Sequence, residues 1–267
     1  MRLRMRCTVR LKDLWGDRMK KEYAEIVKLY NSMIGAHQLW ELWQDSMVMF
    51  AICISNSIDK RFADKREQTY LEIVHKYSKN EIDIFVKIFA EIVNRLESNP
   101  EQDFLGDLYM NLDLGSHWHG QFFTPYTICE MTAGLTYTEE ITSENAAPVS
   151  ICDCACGGGA LLIAGAHKYS KQFQSIGLNG HDYIMICAQD ISQVTAMMCY
   201  IQISLLGFAG KIKIGDSLLH PLLDTDNGSD IWYTPMYFSE IWEGRRLAAK
   251  LDNLMSRGKI NERRADQ

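Results

Sequence analysis

Three carboxylates and one run of glycines are the residues here whose type and spacing could do chemistry. Asp153, Asp190 and Asp216 each stand where a β-prone run gives way to a turn, and the first turn continues as Cys154-Ala155-Cys156-Gly157-Gly158-Gly159. Glycine accepts positive φ and lets backbone come close to a ligand, and a helix starting directly after it aims free N–H groups and the positive end of its dipole at the same place. That arrangement suits a carboxylate or phosphate. A carboxylate at the end of the neighbouring strand, Asp190, can accept both hydroxyls of a ribose. Asp216, on the same rim, could accept from an adenine amino group, and Asp153 would meet an ammonium group or the turn's own N–H groups. Singly, each Asp is commonly a turn former or helix cap; at three successive strand ends they outline a site.

The elements that must position them follow from periodicity. Val149 to Cys152 is β-prone and Ala160 onward is apolar and helix-prone, so strand, tight turn and helix are written in order. Tyr183 to Ala188 predicts a second strand, Gln193 to Leu206 a helix, Lys211 to Ile214 a third strand and Ile231 to Tyr233 a fourth. Strands alternating with helices predict a parallel sheet with crossover helices. Upstream, Tyr23, Ile26, Val27, Tyr30 and Ile34 fall at helical spacing, as do Trp43, Met47, Phe50, Ile54 and Ile58. A third helix carries Tyr70, Ile73, Val74 and Tyr77. A fourth opens on the capping-box pattern Ser78-Lys79-Asn80-Glu81 and ends at Ser98-Asn99-Pro100. Their aromatic stripe reads as packed core. Asp103 to Met110 predicts a short helix, and Thr124-Pro125 a helix start with Thr as cap. The expected division is a helical part over 1–102, an α/β part over 103–240 and a basic helical tail over 241–267.

Composition sets limits. The chain has 267 residues, 47% hydrophobic and 23% charged, with a formal net charge of −6. No apolar run approaches the roughly 20 residues that cross a bilayer, and Arg2, Arg4, Arg6 and Arg10 lead into no signal-peptide core. A cytoplasmic protein with reduced thiols is therefore expected. The net charge argues against a wholly basic nucleic-acid surface. The tail, with Arg245, Arg246, Lys250, Arg257, Lys259, Arg263 and Arg264, reads as a solvated charged helix face that could contact phosphate. Cys152, Cys154 and Cys156 alternate and would face one side of a strand, but no second cysteine pair stands at zinc-ligand spacing, so no metal site is expected. His117-Trp118-His119 reads as a loop packed by Trp118.

In order and spacing, Gly120-Gln121-Phe122-Phe123-Thr124-Pro125, Asp153-Cys154-Ala155-Cys156-Gly157-Gly158-Gly159, Gln189-Asp190-Ile191 and Gly215-Asp216-Ser217 resemble motifs of adenine-specific DNA methyltransferases. The modification subunit of type I restriction-modification systems is especially similar, with its helical N-terminal domain and a segment like Asp103 to Tyr109. The resemblance implies a Rossmann-like α/β sheet, truncated here and preceded by a helical bundle, that binds S-adenosylmethionine and methylates the exocyclic amine of adenine in DNA. It places Phe122, Thr124 and Pro125 at the methionine end, Asp153, Ala155, Cys156, Gly157 and Gly159 in the turn, Asp190 with Ile191 at the ribose, and Asp216 with Ser217 at the adenine. The family's Asn-Pro-Pro-aromatic motif holds the target amine and stacks on a base flipped from the duplex. Its counterpart here is Thr234-Pro235-Met236-Tyr237, which makes Thr234, Pro235 and Tyr237 the catalytic candidates. DNA and a specificity or complementing subunit are the implied partners. The alternative is a catalytically degenerate protein of the same fold that serves binding or assembly.

Overall fold

A computed structural model describes residues 23–112, 114, 123–136, 140–223 and 226–251. A first helix, α1, runs over residues 23–31. The helices α2 (Leu39–Ile58), α3 (Ala63–Val74), α4 (Lys79–Ser98), α5 (Phe104–Asn111) and α6 (Tyr126–Thr136) follow before the first strand. The expected first helix is cut short of Ile34 by Gly35 at φ +111°, which leaves Ile34 exposed. The capping box forms as its residues predict: Ser78 N–H donates to Glu81 Oε2 at 2.7 Å and Glu81 N–H to Ser78 Oγ at 3.4 Å. Asp103 caps α5 by accepting from Gly106 N–H at 3.0 Å.

The sheet comprises β1 (Val149–Asp153), β2 (Ile184–Asp190), β3 (Ala209–Ile214) and β4 (Ile231–Tyr233), with α7 (Ala160–Ser175) and α8 (Gln193–Leu205) as crossovers. Its spatial order equals its chain order, β1-β2-β3-β4. Pairs β1–β2 and β2–β3 are parallel as expected; β3–β4 is antiparallel, with Lys211 opposite Tyr233 and Lys213 opposite Ile231. The antiparallel turn-back is possible because a loop, and not a crossover helix, joins β3 to β4. Right-handed crossovers stepping the same way put α7 and α8 on one face of the sheet. There Ile151, Ile184, Ile186, Ala188, Ile212 and Trp232 are buried, while Ser150 and Cys152 on the other face are exposed. The apolar core continues from this face through α8 into α2, α4 and α5, so helices and sheet share one core. No helix among the described residues is long and apolar enough to cross a membrane.

Asp59, just past α2 and 1% exposed, ties the helical part to β4. Its carboxylate accepts from Arg61 Nε and Nη2, each at 2.8 Å, and from Arg66 Nη1 at 3.3 Å. Arg66 in turn donates to the Ile231 carbonyl at 3.5 Å and lies 4.4 Å from the Trp232 ring centre. Burial alone would raise the Asp59 carboxyl, but hydrogen bonds from Arg61 and the charges of both arginines hold it below the usual carboxylate range.

The last described helix, α9, covers residues 240–251. Its arginines are not a solvated face. Arg245 lies 4.4 Å from the Tyr183 ring centre and Arg246 3.9 Å from that of Tyr237. Such stacking keeps a guanidinium charged while covering apolar ring surface. Arg257, Lys259, Arg263 and Arg264 lie outside the described residues, as do Arg2 to Arg10 and His117 to His119.

Candidate functional site

The turn after β1 is built by hydrogen bonds to its own backbone. Asp153 Oδ1 accepts from Ala155 N–H at 3.0 Å, Cys156 N–H donates to the Gln189 carbonyl at 2.9 Å, and Gly157 N–H donates to Asp190 Oδ2 at 2.8 Å. Gly157 at φ +53° and Gly159 at φ +96° are left-handed, and Gly159 caps α7. Close approach adds a second need for glycine: a Cβ on Gly159 would fall 2.9 Å from Cys199 Sγ, and one on Gly157 3.3 Å from the Phe123 ring. β1 ends at Asp153, so the three cysteines do not share a strand face. Cys152 and Cys154 are exposed, whereas Cys156 is buried against Cys199. The hydrogen bond with Cys199, together with burial, pushes the Cys156 thiol well above its ordinary value.

Asp190 is the hub of the rim. Besides Gly157, it accepts from Ser192 N–H and Thr195 Oγ1, both at 2.9 Å to Oδ1. A carboxylate has about four acceptor positions, so the described residues occupy all but one, on Oδ2. Space for both ribose hydroxyls, expected from the residue type, is therefore reduced to one. Asp216 turns back on its own loop, accepting from Leu218 N–H at 2.8 Å and Leu219 N–H at 3.2 Å. Ser217 beside it is half-buried, and Ile191, directly after Asp190, is 72% exposed. An apolar side chain so placed, with Leu218 and Leu219 also exposed on this rim, offers a surface for a planar ring.

Three supporting residues were not singled out by the spacing argument. Gln189, buried on β2, holds the 215–222 loop: its Nε2 donates to the Gly215 and His220 carbonyls at 3.2 and 2.9 Å, and its Oε1 accepts from Leu222 N–H at 2.8 Å. Gln202, buried in α8, donates from Nε2 to Asp103 Oδ1 at 2.7 Å and to the Gly158 carbonyl at 2.8 Å, and accepts from Leu105 N–H at 3.0 Å. It locks the glycine turn to the start of α5. A buried amide within an otherwise apolar helix pattern is the signal that could have found it. Phe123 packs on Gly157 and stands 5.1 Å, edge on, from Tyr109. Its neighbour Phe122 lies outside the described residues; Thr124 and Pro125 are exposed just ahead of α6.

The catalytic candidates are not brought to this rim. Because β4 runs antiparallel, Thr234 lies beside Gly210, four residues back along β3 from Ile214, the partner of Asp190. That separation is about 13 Å at roughly 3.3 Å per residue. Thr234 is fully buried, its Oγ1 donating to the Phe208 carbonyl and accepting from Gly210 N–H, both at 2.8 Å. Tyr237 is half-buried under Arg246, with the Tyr233 ring 4.5 Å away, and Pro235 opens a short 3₁₀ turn (Pro235–Phe238). Thr234, Pro235 and Tyr237 thus staple β4 to β3 and α9.

Two solved structures are similar in part. One is described as a class I S-adenosylmethionine-dependent methyltransferase from Listeria monocytogenes, 13% identical, covering 77% of this chain and 56% of its own, with a TM-score of 0.46. The other is a type I restriction-modification system methyltransferase subunit from Streptococcus thermophilus, 14% identical, covering 80% of this chain and 60% of its own, with a TM-score of 0.40. The chain thus spans less than two thirds of either. No curated protein matches it. The N-6 DNA methylase family model matches residues 101–266, which takes in α5, the glycine turn and all four strands. With Asp190 closing that turn on a Rossmann-like sheet, the chain belongs to the N-6 DNA methylase family.

Proposed function

We propose that the chain binds S-adenosylmethionine across the ends of β1, β2 and β3 and serves methylation of the exocyclic amine of adenine in DNA, within a system of the restriction-modification or mobile-element kind. The carrying observation is the Gly157 N–H to Asp190 contact, which shapes a bare-backbone cradle with one free acceptor position beside it. The residues present fit the group. Asp190 takes one ribose hydroxyl, Ile191 covers the adenine, Asp216 and Ser217 edge it, and Asp153, Ala155, Cys156, Gly157 and Gly159 frame the methionine part with Thr124 and Pro125. When bound, the cofactor supplies a methyl group on a positively charged sulfur. The protein's share is then orientation and exclusion of water. Calorimetric titration tests this: wild-type chain should bind S-adenosylmethionine saturably, and Asp190→Ala should weaken binding by about 100-fold through loss of the turn's anchor and the hydroxyl acceptor. No binding by a wild-type chain with native circular dichroism would overturn it.

One observation favours a second reading, in which the chain brings cofactor or structure to an assembly and another subunit, or a specificity subunit, completes the site. Thr234 is sealed between β3 and β4. In that case Thr234→Asn, which would restore the family's amide, costs about 2 kcal/mol in urea denaturation because two buried partners lose their hydroxyl. It should leave methyl transfer to DNA, followed with radiolabelled cofactor, no higher than before. A rise in transfer would return Thr234 to the active site.

A further inference from the structure

A cavity of about 180 Å³ opens between the helical part and the sheet, with Val48 and Ile52 of α2, Gln193 at the start of α8 and Ile214, the β3 partner of Asp190, in its wall. Phe62, Lys65, Arg66 and Thr69 line it from α3 and its cap, Ser229 and Trp232 from the β4 side, and no acidic residue is among its lining. Arg66 is 5% exposed, and although its Nη groups reach Asp59 and the Ile231 carbonyl, its Nε–H is buried with no acceptor among the described residues. Buried donors are almost always paired. Of the charged side chains around it, Asp59 is engaged by Arg61 and Arg66, while Asp64, Glu67 and Asp230 stand outside the lining, so that Lys65 and Arg66 are the charges that line the cavity. Lys65 Nζ reaches Ser229 Oγ at 3.4 Å, a long contact readily exchanged for a charge-assisted one. At about 30 Å³ per water, the space holds several waters or one tetrahedral ion.

We propose that this cavity binds a tetrahedral oxyanion of the phosphate class, either free phosphate or the phosphodiester of a nucleic acid, with Arg66 and Lys65 as its cationic donors, Ser229 as a hydroxyl donor, and Thr69 as a second once its hydroxyl gives up the 3.3 Å contact with the Lys65 carbonyl. The proposal does not rest on the cofactor reading, although Gln193 and Ile214 put the cavity at the same end of the sheet as Asp190. Its test is the melting temperature of the whole chain in sodium phosphate against sodium chloride at matched ionic strength. Saturable stabilisation by inorganic phosphate is expected, with apparent affinity about tenfold weaker in Lys65→Met and reduced in Thr69→Val. Lys65 is exposed and Thr69 half-buried, so both variants should fold. Fluorescence anisotropy with a labelled DNA duplex separates the sources. If the phosphodiester occupies the site, inorganic phosphate competes with the duplex and Lys65→Met weakens it; if free phosphate does, duplex binding is indifferent to both. Equal melting in phosphate and chloride, or a phosphate effect untouched by both substitutions, would overturn the proposal.

Discussion

Gln202→Leu is expected to destabilise the chain by about 4 kcal/mol, because one side chain satisfies three buried groups at once. The Gly158 carbonyl and the Leu105 N–H lose their partners, and the Asp103 carboxylate keeps only Gly106. In a chain of this size that corresponds to roughly 8–16 °C in Tm, measurable by calorimetry. Burial already raises the Asp103 carboxyl, against the opposing hydrogen bonds from Gln202 and Gly106. Gln202→Glu sharpens the case. Two carboxyls facing each other in a buried site favour sharing a proton, so their folded-state affinity for protons rises above the unfolded one. Stability of this variant should be best in acid and fall as pH rises through the usual carboxylate range, a slope steeper than in the wild type. A flat profile, or a loss under about 1 kcal/mol for Gln202→Leu, would mean that the turn is held by its own backbone alone.

The second large effect belongs to Gly159→Ala. A side chain at φ +96° is strained, and its Cβ would press on Cys199 Sγ at 2.9 Å, within a fully packed helix. Together these cost about 3 kcal/mol. Gly177 offers the control, since its φ of +80° is comparable and nothing lies within 4 Å of a Cβ there. Gly177→Ala should cost about 1 kcal/mol, the backbone share alone. The difference between the two denaturation midpoints measures the steric contact of turn with α8, and equal losses would deny that contact any weight.

These two residues also mark the limit of what was legible. Gly159 announced itself, because consecutive glycines between a β-prone run and a helix have few other uses. The order of strands and helices was equally plain from periodicity, as were the capping box at Ser78 and the placement of Asp153, Asp190 and Asp216 at strand ends. Strand direction was not. Nothing in Ile231-Trp232-Tyr233 distinguishes a parallel from an antiparallel partner, and that one choice carries Thr234 from the rim of Asp153 and Asp190 to the opposite one. Gln202 was hidden for a different reason: its three partners lie 44 to 99 residues away, so its role exists only once the chain has folded. Arg245 and Arg246 read as solvated because sequence gives charge and not the rings they cover.

The identity of spatial and chain order in the sheet bears on how the molecule assembles. Each strand pairs with the one made just before it, so pairing can proceed outward from β1 as a zipper, with no strand waiting for a later insertion between two others. The partners so joined, Val149 with Ile184, Met185 with Ala209 and Lys211 with Tyr233, are all non-local, so each step carries a loop-closure cost before pairing rewards it. The Gln202 clamp spans more, 97 residues to Leu105, so its closure costs more chain entropy than any single strand pair of the sheet.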